Sequence, residues 1–422
     1  MFMKNAYTNG TIFVQMAAYR DRELLPTLQD LLSKADKPNL LHICICWQHS
    51  KEDDWDNLDE YMDDDRFTII NIDYKDSKGA CWARNLIQQH YNKEKFTLQL
   101  DSHHRFVKGW DTKLKNMYAG LQLNGSPKPL LTSYLPAYDV ETGKPIDIDP
   151  WMLSYNYFAN EGPLHTIPEA IPNWKGLGGP VNGRFYSAHF AFTDGAFSQD
   201  VQHDPEMYFH GEEISIAVRA FTHGYDIYYP HQLIAWHHYG RKTATKHWDD
   251  SKTWQDDNLK SYKRVRKLLG VNNEKFKSGE NKYGFGKARS LCDYERFAGV
   301  RFRDKRIQQY TLDRLHPPNP EYASKQDYDN SFIKQFKYCI DLGYDKVPYD
   351  DYIFWAVSFF NDKGDEVYRQ DADPEEISRL KSDPDGYCKI WRWFATEENI
   401  TKWRVWPQSK EHGFADPIEG NI

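Results

Sequence analysis

Short apolar runs punctuate the first third of the chain, at Thr11–Met16, Leu40–Trp47, Phe67–Ile72 and Phe96–Leu100. Between them, at about Glu23–Lys34, Asp53–Met62 and Ala80–Tyr91, the apolar positions fall at helical spacing. Alternation of this kind predicts a parallel sheet covered by helices, with ligands at the carboxyl ends of its strands. From 136 to 200 the pattern is irregular and rich in Pro, Gly, Tyr and Asn, as in long functional loops. A helix is then predicted over Glu212–His223, with Ile214, Ala217, Val218 and Phe221 on one face. Strands follow at Asp226–Tyr229 and Leu233–His237, and charged helices at Asp257–Leu269 and Ser290–Ala298. From about 345 the period changes to two, in Tyr352–Phe360, Gly386–Phe394 and Thr401–Trp406, separated by turn signals such as Asn361-Asp362-Lys363-Gly364. The expected organisation is one catalytic domain over 1–325 and a small β-sandwich over 345–422.

Composition narrows the function. Apolar residues make up 40% of the 422, ample for a core, and aromatics 15%, including 14 Trp and 28 Tyr. Aromatic faces stack on sugar rings as well as fill cores. For Trp391, Trp393, Trp403 and Trp406 packing between two sheets is the expected role, with glycan or acceptor binding as the alternative. A net charge of −8 gives no footprint for nucleic acid. No run of about 18 apolar residues is present, so no transmembrane segment is expected, and the N-terminal pattern lacks a signal peptide. The expected location is cytoplasmic. The six cysteines include no CxxC pair and read as free thiols, with Cys44 and Cys46 on one strand face.

The sharpest chemical signal is Phe96-Thr-Leu-Gln-Leu-Asp101-Ser-His103. In extended backbone residues i and i+2 point the same way, so Asp101 and His103 can reach one ion. Oxygen plus imidazole suits Mn²⁺ or a similar divalent cation. A third ligand is sought in Trp236-His237-His238-Tyr239, where alternation admits one histidine only, and His237 is favoured. His210-Gly211-Glu212-Glu213 opens a helix. Its acids complement the helix dipole, or else face a ligand, with Gly211 allowing close approach. Arg20, Arg84 and Arg241 are the arginines placed to meet a diphosphate, or to make surface ion pairs.

Together these segments, VQMAAYRDRELLPTL, GACWARN, LQLDSHHRFVKGWD, RFYSAHFAFTDGAF, YFHGEEISIAVRAFTHGYDIYYP, WHHYGR and YGFGKARSLCDYERFAGVRF, resemble the polypeptide α-N-acetylglucosaminyltransferases. More distantly they resemble the mucin-type polypeptide N-acetylgalactosaminyltransferases. The resemblance covers about residues 10–305 and implies a GT-A fold, a Rossmann-like mixed sheet, with UDP-GlcNAc as donor and Mn²⁺ or another divalent cation. It implies retention at the transferred sugar and a hydroxyl acceptor on a protein (Ser, Thr or hydroxyproline). Asp101, His103 and His237 would hold the metal. Ala17, Tyr19, Arg20, Arg84, Asp101, Ser102 and Arg241 would hold the donor, and Glu212, Glu213 and Arg84 would serve catalysis. The loop Trp174–Arg184 is expected to close over the donor. Competing readings are a transferase extending a polysaccharide or glycolipid, and a non-catalytic sugar-binding protein. A metallohydrolase would need a ligand set such as HExxH, which is absent.

Overall fold

The computed structural model of the chain describes residues 10–159, 161–240, 244–384 and 386–422. Arg241, assigned above to the donor, lies outside the described residues. The chain divides into two compact units, Met1–Asp304 with Gln308–Tyr322, and Lys305–Ile307 with Ala323–Ile422.

In the first unit β1 (Ile12–Tyr19), β2 (Leu41–His49), β3 (Phe67–Asp73) and β4 (Phe96–Asp101) are parallel, as the alternation predicts. With β6 (Pro129–Thr132), β9 (Val181–Asn182), β10 (Phe190–Asp194) and β11 (Asp226–Tyr229) they form an eight-stranded sheet ordered β3-β2-β1-β4-β10-β6-β11-β9. Antiparallel β10 is wedged between β4 and β6. Outside this sheet, β5 (His104–Phe106) pairs with β12 (Ala235–His237) as a short antiparallel ribbon. A second pair, β7 (Trp151–Phe158) and β8 (Leu164–Ala170), forms a hairpin. The helices of this unit that matter below are α1 (Leu24–Lys34), α2 (Ala80–Gln88), α3 (Trp110–Leu123), α4 (Phe197–Asp200), α5 (Glu212–Thr222), α6 (His247–Asp250), α7 (Trp254–Leu269) and α8 (Leu291–Ala298).

Both faces of β1 are buried, which explains a run that is apolar but for Gln15, whose amide donates to the Thr97 hydroxyl at 2.7 Å. Ile12, Val14, Met16 and Ala18 pack with Leu28 and Leu31 of α1 and Trp110 and Leu114 of α3. Phe13 on the opposite face packs with Cys44, Cys46, Ala83 and Ile87, the last two on α2. A strand covered on both faces has no polar side to show. Cys44 and Cys46 are therefore buried thiols in one hydrophobic layer, and all six cysteines are free. No helix among the described residues is long and apolar enough to cross a membrane.

Three expectations need correction. Asp53–Met62 is not an α-helix; it holds one 3-10 turn, Asp59–Tyr61. Its aspartates find better partners than a helix offers: Asp53 pairs with Arg20, and Asp56 accepts from the Trp47 indole at 2.7 Å. The irregular stretch contains the β7–β8 hairpin, whose Pro168 and bulge between Tyr155 and Tyr157 disguise the strand pattern. The C-terminal tryptophans do not fill a gap between sheets as a group. The strand Tyr387–Ala395 turns Cys388, Ile390, Arg392 and Phe394 inward and leaves Trp391 and Trp393 exposed. Buried Arg392 is tolerated there because Glu376 accepts from its guanidinium at 2.8 and 3.2 Å. Trp355 is the indole at the heart of that core, while Trp403 packs at its margin and Trp406 lies near the surface against Phe414.

That second unit pairs Phe332–Gly343 with Tyr387–Ala395, and, in a separate sheet, Tyr352–Asn361 with Ile400–Ser409. A Rossmann-like mixed sheet followed by a C-terminal β region is the GT-A architecture expected from the sequence.

Phe192 of β10 is fully buried and stacks on Phe96 at 5.3 Å between ring centroids. Phe192→Ala is expected to cost about 3–5 kcal/mol in urea unfolding. A cost under ~1 kcal/mol would mean that the wedge strand does not anchor the sheet.

Candidate functional site

The carboxyl end of β4 sits beside the carboxyl end of β1, with Asp101 in register with Ala17. Two clefts open at this edge. One, of about 320 Å³, is lined by Ala17, Tyr19, Gly79, Ser102, Phe209 and Trp248 among others. The other, of about 360 Å³, is lined by Tyr134, His165, His189, His210 and Glu213 among others. Arg84, Asp101, Phe209, His237 and Tyr239 belong to both, so they form the wall between them.

Asp101 divides its two oxygens. Oδ1 accepts from Arg84 Nη2 at 2.6 Å, while Oδ2 faces His103 Nε2 at 3.7 Å and His237 Nε2 at 3.5 Å. Asp101, His103 and His237 offer ligand atoms within 4.8 Å of one another. The ribbon explains how a distant residue arrives: β12 pairs with β5 in the register His237 to His104, immediately beyond Asp101-Ser102-His103. His103 is aimed by Asp21, whose Oδ2 lies 2.8 Å from its Nδ1 and also accepts from the Ser102 hydroxyl at 2.6 Å. His238 is not part of this triad; it lines the first cleft, its ring 5.8 Å from that of Tyr138.

The donor set fits a divalent cation. Both ring nitrogens of His237 are buried without a hydrogen bond, Nε2 having only Asp101 Oδ2 at 3.5 Å, and a cation would satisfy Nε2. Burial and neighbouring His189 push the His237 imidazole well below its ordinary pKa, so it is neutral, as a ligand must be. Desolvation alone would raise the Asp101 carboxyl, but His237, Arg84 and His103 reverse this and hold it well below the usual range. Cys81, His203 and Glu212 also converge. There, however, both Glu212 oxygens accept from Arg84 Nη1, at 2.6 and 2.7 Å, and a cation would meet the guanidinium.

The remaining assigned residues fall into distinct roles. Glu212 is buried; desolvation would raise it, yet Arg84 and His203 hold it at about 2. It is a permanent counter-charge to Arg84. Glu213 beside it is pushed up by burial to about 7, while accepting from the Ala188 amide at 2.9 Å and the Tyr134 hydroxyl at 2.8 Å. Gly211 before them has φ +91°, and a Cβ there would lie 2.3 Å from Val265 of α7, so packing and backbone conformation require it. Ala17, Tyr19 and Ser102 line the first cleft. Arg20 does not; it is held by Asp53 at 2.7 Å and Asp250 at 3.1 Å. The segment Trp174–Arg184 lines neither cleft, and Arg184 is tied to Ala298 and Asn319.

Several residues were not legible beforehand. His189 stacks on His237 at 4.3 Å, and burial, with His103 and Arg84, outweighs the opposing pull of Asp101 and brings its pKa down to about 3. Tyr208 and His247 share a 2.7 Å contact at the first cleft. Asp21 had a signal, its place directly after β1, but no obvious partner in sequence.

Two measurements follow. Asp21→Asn is expected to weaken Mn²⁺ binding about 10–100-fold, and Asp101→Ala to abolish it, by calorimetric titration; an unchanged Asp21→Asn would mean that His103 needs no orienting partner. Glu213 has an ordinary value of 4.5 and a folded value of about 7. The unfolded chain therefore releases its proton first, and stability is lost as pH rises from 4.5 to 7, by about 3 kcal/mol. Glu213→Gln removes that loss, so its urea midpoint should gain on the parent's across this window and run parallel above it. Parallel curves throughout would exclude the raised carboxyl.

A sequence profile of the family described as Glycosyltransferase (GlcNAc) matches residues 11–68 and 56–304. No curated protein sequence matches the chain. Among solved structures, GalNAc-T7 with UDP, GalNAc and Mn²⁺ is similar at 16% identity and TM-score 0.45, over 61% of this chain and 48% of that one. The match thus spans about half of the GalNAc-T7 chain. TarS 1–349 of S. aureus with UDP-GlcNAc is similar at 14% identity and TM-score 0.39, over 63% and 68% of the two chains. Full TarS matches at 10% identity and TM-score 0.35, over 98% and 77%. With its profile match running through the sheet, the Asp101 edge and both clefts, the chain belongs to the Glycosyltransferase (GlcNAc) family.

Proposed function

We propose that the chain transfers GlcNAc from UDP-GlcNAc, with retention, to a hydroxyl on a protein. The observation that carries this reading is the convergence of Asp101, His103 and His237 on the wall between two clefts, in a chain whose family is a glycosyltransferase family. A divalent cation on those three residues would neutralise charge developing on a diphosphate leaving group.

The chain's own residues supply the rest. The first cleft takes the nucleotide: Trp248 and Phe209 offer flat faces for a base, and Gly79 and Ala80 present the amino end of α2. The second cleft takes the transferred sugar and the acceptor. Arg84 stands between, buried and held in place by Glu212 and Asp101, so its charge needs no reorganisation as the leaving group departs. Glu213, with a pKa of about 7, can exchange a proton with an acceptor hydroxyl in the working pH range. Arg20 and Arg241 remain in the proposal at the diphosphate edge, Arg20 by exchanging an aspartate for phosphate oxygens. The six free thiols suit the reducing cytoplasm proposed as the location. A polysaccharide or glycolipid acceptor is the second reading, favoured by the aromatic lining of the second cleft, with Tyr134, Phe209 and Tyr239.

The test is UDP release from a panel of nucleotide sugars, with Mn²⁺ or chelator. Turnover is expected with UDP-GlcNAc and Mn²⁺ only, with kcat reduced about 10²–10³-fold in Arg84→Met. Metal-independent turnover, or a different preferred sugar, would overturn the proposal in that respect. Absence of both turnover and metal-linked UDP binding would overturn it entirely.

A further inference from the structure

The C-terminal unit carries an aromatic face that its core does not explain. Along Tyr387–Ala395 burial alternates without a break: Cys388, Ile390, Arg392 and Phe394 point inward, and Tyr387, Lys389, Trp391, Trp393 and Ala395 outward. Trp393 is 61% exposed, Tyr387 51% and Trp391 46%. Two indoles in water, on the same strand as a buried arginine, reverse the ordinary preference of both residue types. The inward set already closes the core, with Ile390 and Phe394 against Trp355 and Phe359, so the tryptophans do not stabilise it.

The face is flat and mixed. Two positions apart on one strand, Trp391 and Trp393 sit roughly 6.6 Å apart along it. The neighbouring strand Phe332–Gly343 sets Lys337 opposite Trp393, Cys339 opposite Trp391 and Asp341 opposite Lys389. The Lys337 ammonium lies 4.9 Å from the Trp391 ring centre. Indole planes bordered by lysine and aspartate match the two sides of a pyranose: axial C–H groups lie on the ring face, and hydroxyls that donate and accept lie at its edge. An apolar peptide would find no aliphatic pocket here. The three aromatic side chains expose on the order of 350 Å², under half of the ~800 Å² per partner of a stable protein interface. Interface cores are also depleted of charges such as those interleaved here.

We propose that the outward face of Tyr387–Ala395 binds a carbohydrate chain, with Trp391 and Trp393 as stacking platforms and Lys337, Asp341 and Lys389 as the polar rim. A site of this kind in a glycosyltransferase chain raises the local concentration of a multi-sugar acceptor or product through tethering. The binding itself requires no turnover, so it stands or falls apart from the donor and acceptor proposed above.

The experiment uses the full chain on an array of immobilised oligosaccharides that includes neutral glucans, GlcNAc oligomers and uronic-acid polymers. The parent chain should retain at least one class. Trp391→Ala with Trp393→Ala should lower that binding at least tenfold, Trp393→Tyr should keep most of it, and Asp101→Ala should leave it unchanged. The double variant should also keep its UDP binding and unfolding midpoint, which shows that it is folded. No retention of any glycan by the parent, or equal retention by the double variant, would overturn the proposal. Sedimentation of the parent as an oligomer that the double variant dissolves would overturn it too, by assigning the face to a second copy.

Discussion

One carboxylate organises the catalytic edge. Asp101 gives one oxygen to Arg84 and turns the other toward His103 and His237, so a fixed cation and a potential cation site share a single residue. Arg84 in turn is fixed by Glu212, and His103 by Asp21. Asp21, His103, Arg84 and Glu212 are buried and the Asp101 side chain is 25% exposed, and each is held by a partner from a different element: α2, the turn after β1, α5 and β12. Charges buried in this way persist only when every one is matched. The chain of matches runs from Asp21 through His103 and Asp101 to Arg84 and Glu212, spanning the wall between the clefts.

Neighbouring acids with opposite behaviour show how local the control is. Glu212 and Glu213 are adjacent on α5, the first buried and the second partly so. A guanidinium keeps the first ionised, whereas the second has only neutral donors and rises to about 7. Pairs of titratable groups whose surroundings drive their pKa values apart are a mark of functional sites.

Much of this was legible in the chain. Strand ends followed by chemistry led to Asp101 and His103, because alternation sets i and i+2 on one side. The same rule sets Trp391 and Trp393 on one face, but the expectation of packing between two sheets took that face as the inward one. Hydrophobicity favours the wrong answer there, since the buried face contains Arg392 and the decisive partner, Glu376, lies on another element. The segment Asp53–Met62 failed for a similar reason. Its apolar spacing is helical, but its aspartates are drawn to Trp47 and Arg20, which only the fold brings near. Asp21, His189 and His203 were hidden because their meaning is a contact and not a spacing.

The β5–β12 ribbon has a further consequence. His237 reaches Asp101 and His103 only when two strands far apart in sequence have paired outside the main sheet. The unfolded chain holds no such triad. Any ion that binds the three residues therefore binds the folded state alone and shifts the folding equilibrium in proportion to the logarithm of its concentration. An ion held there would fasten the ribbon, adding stability to the very pairing that assembles its own site.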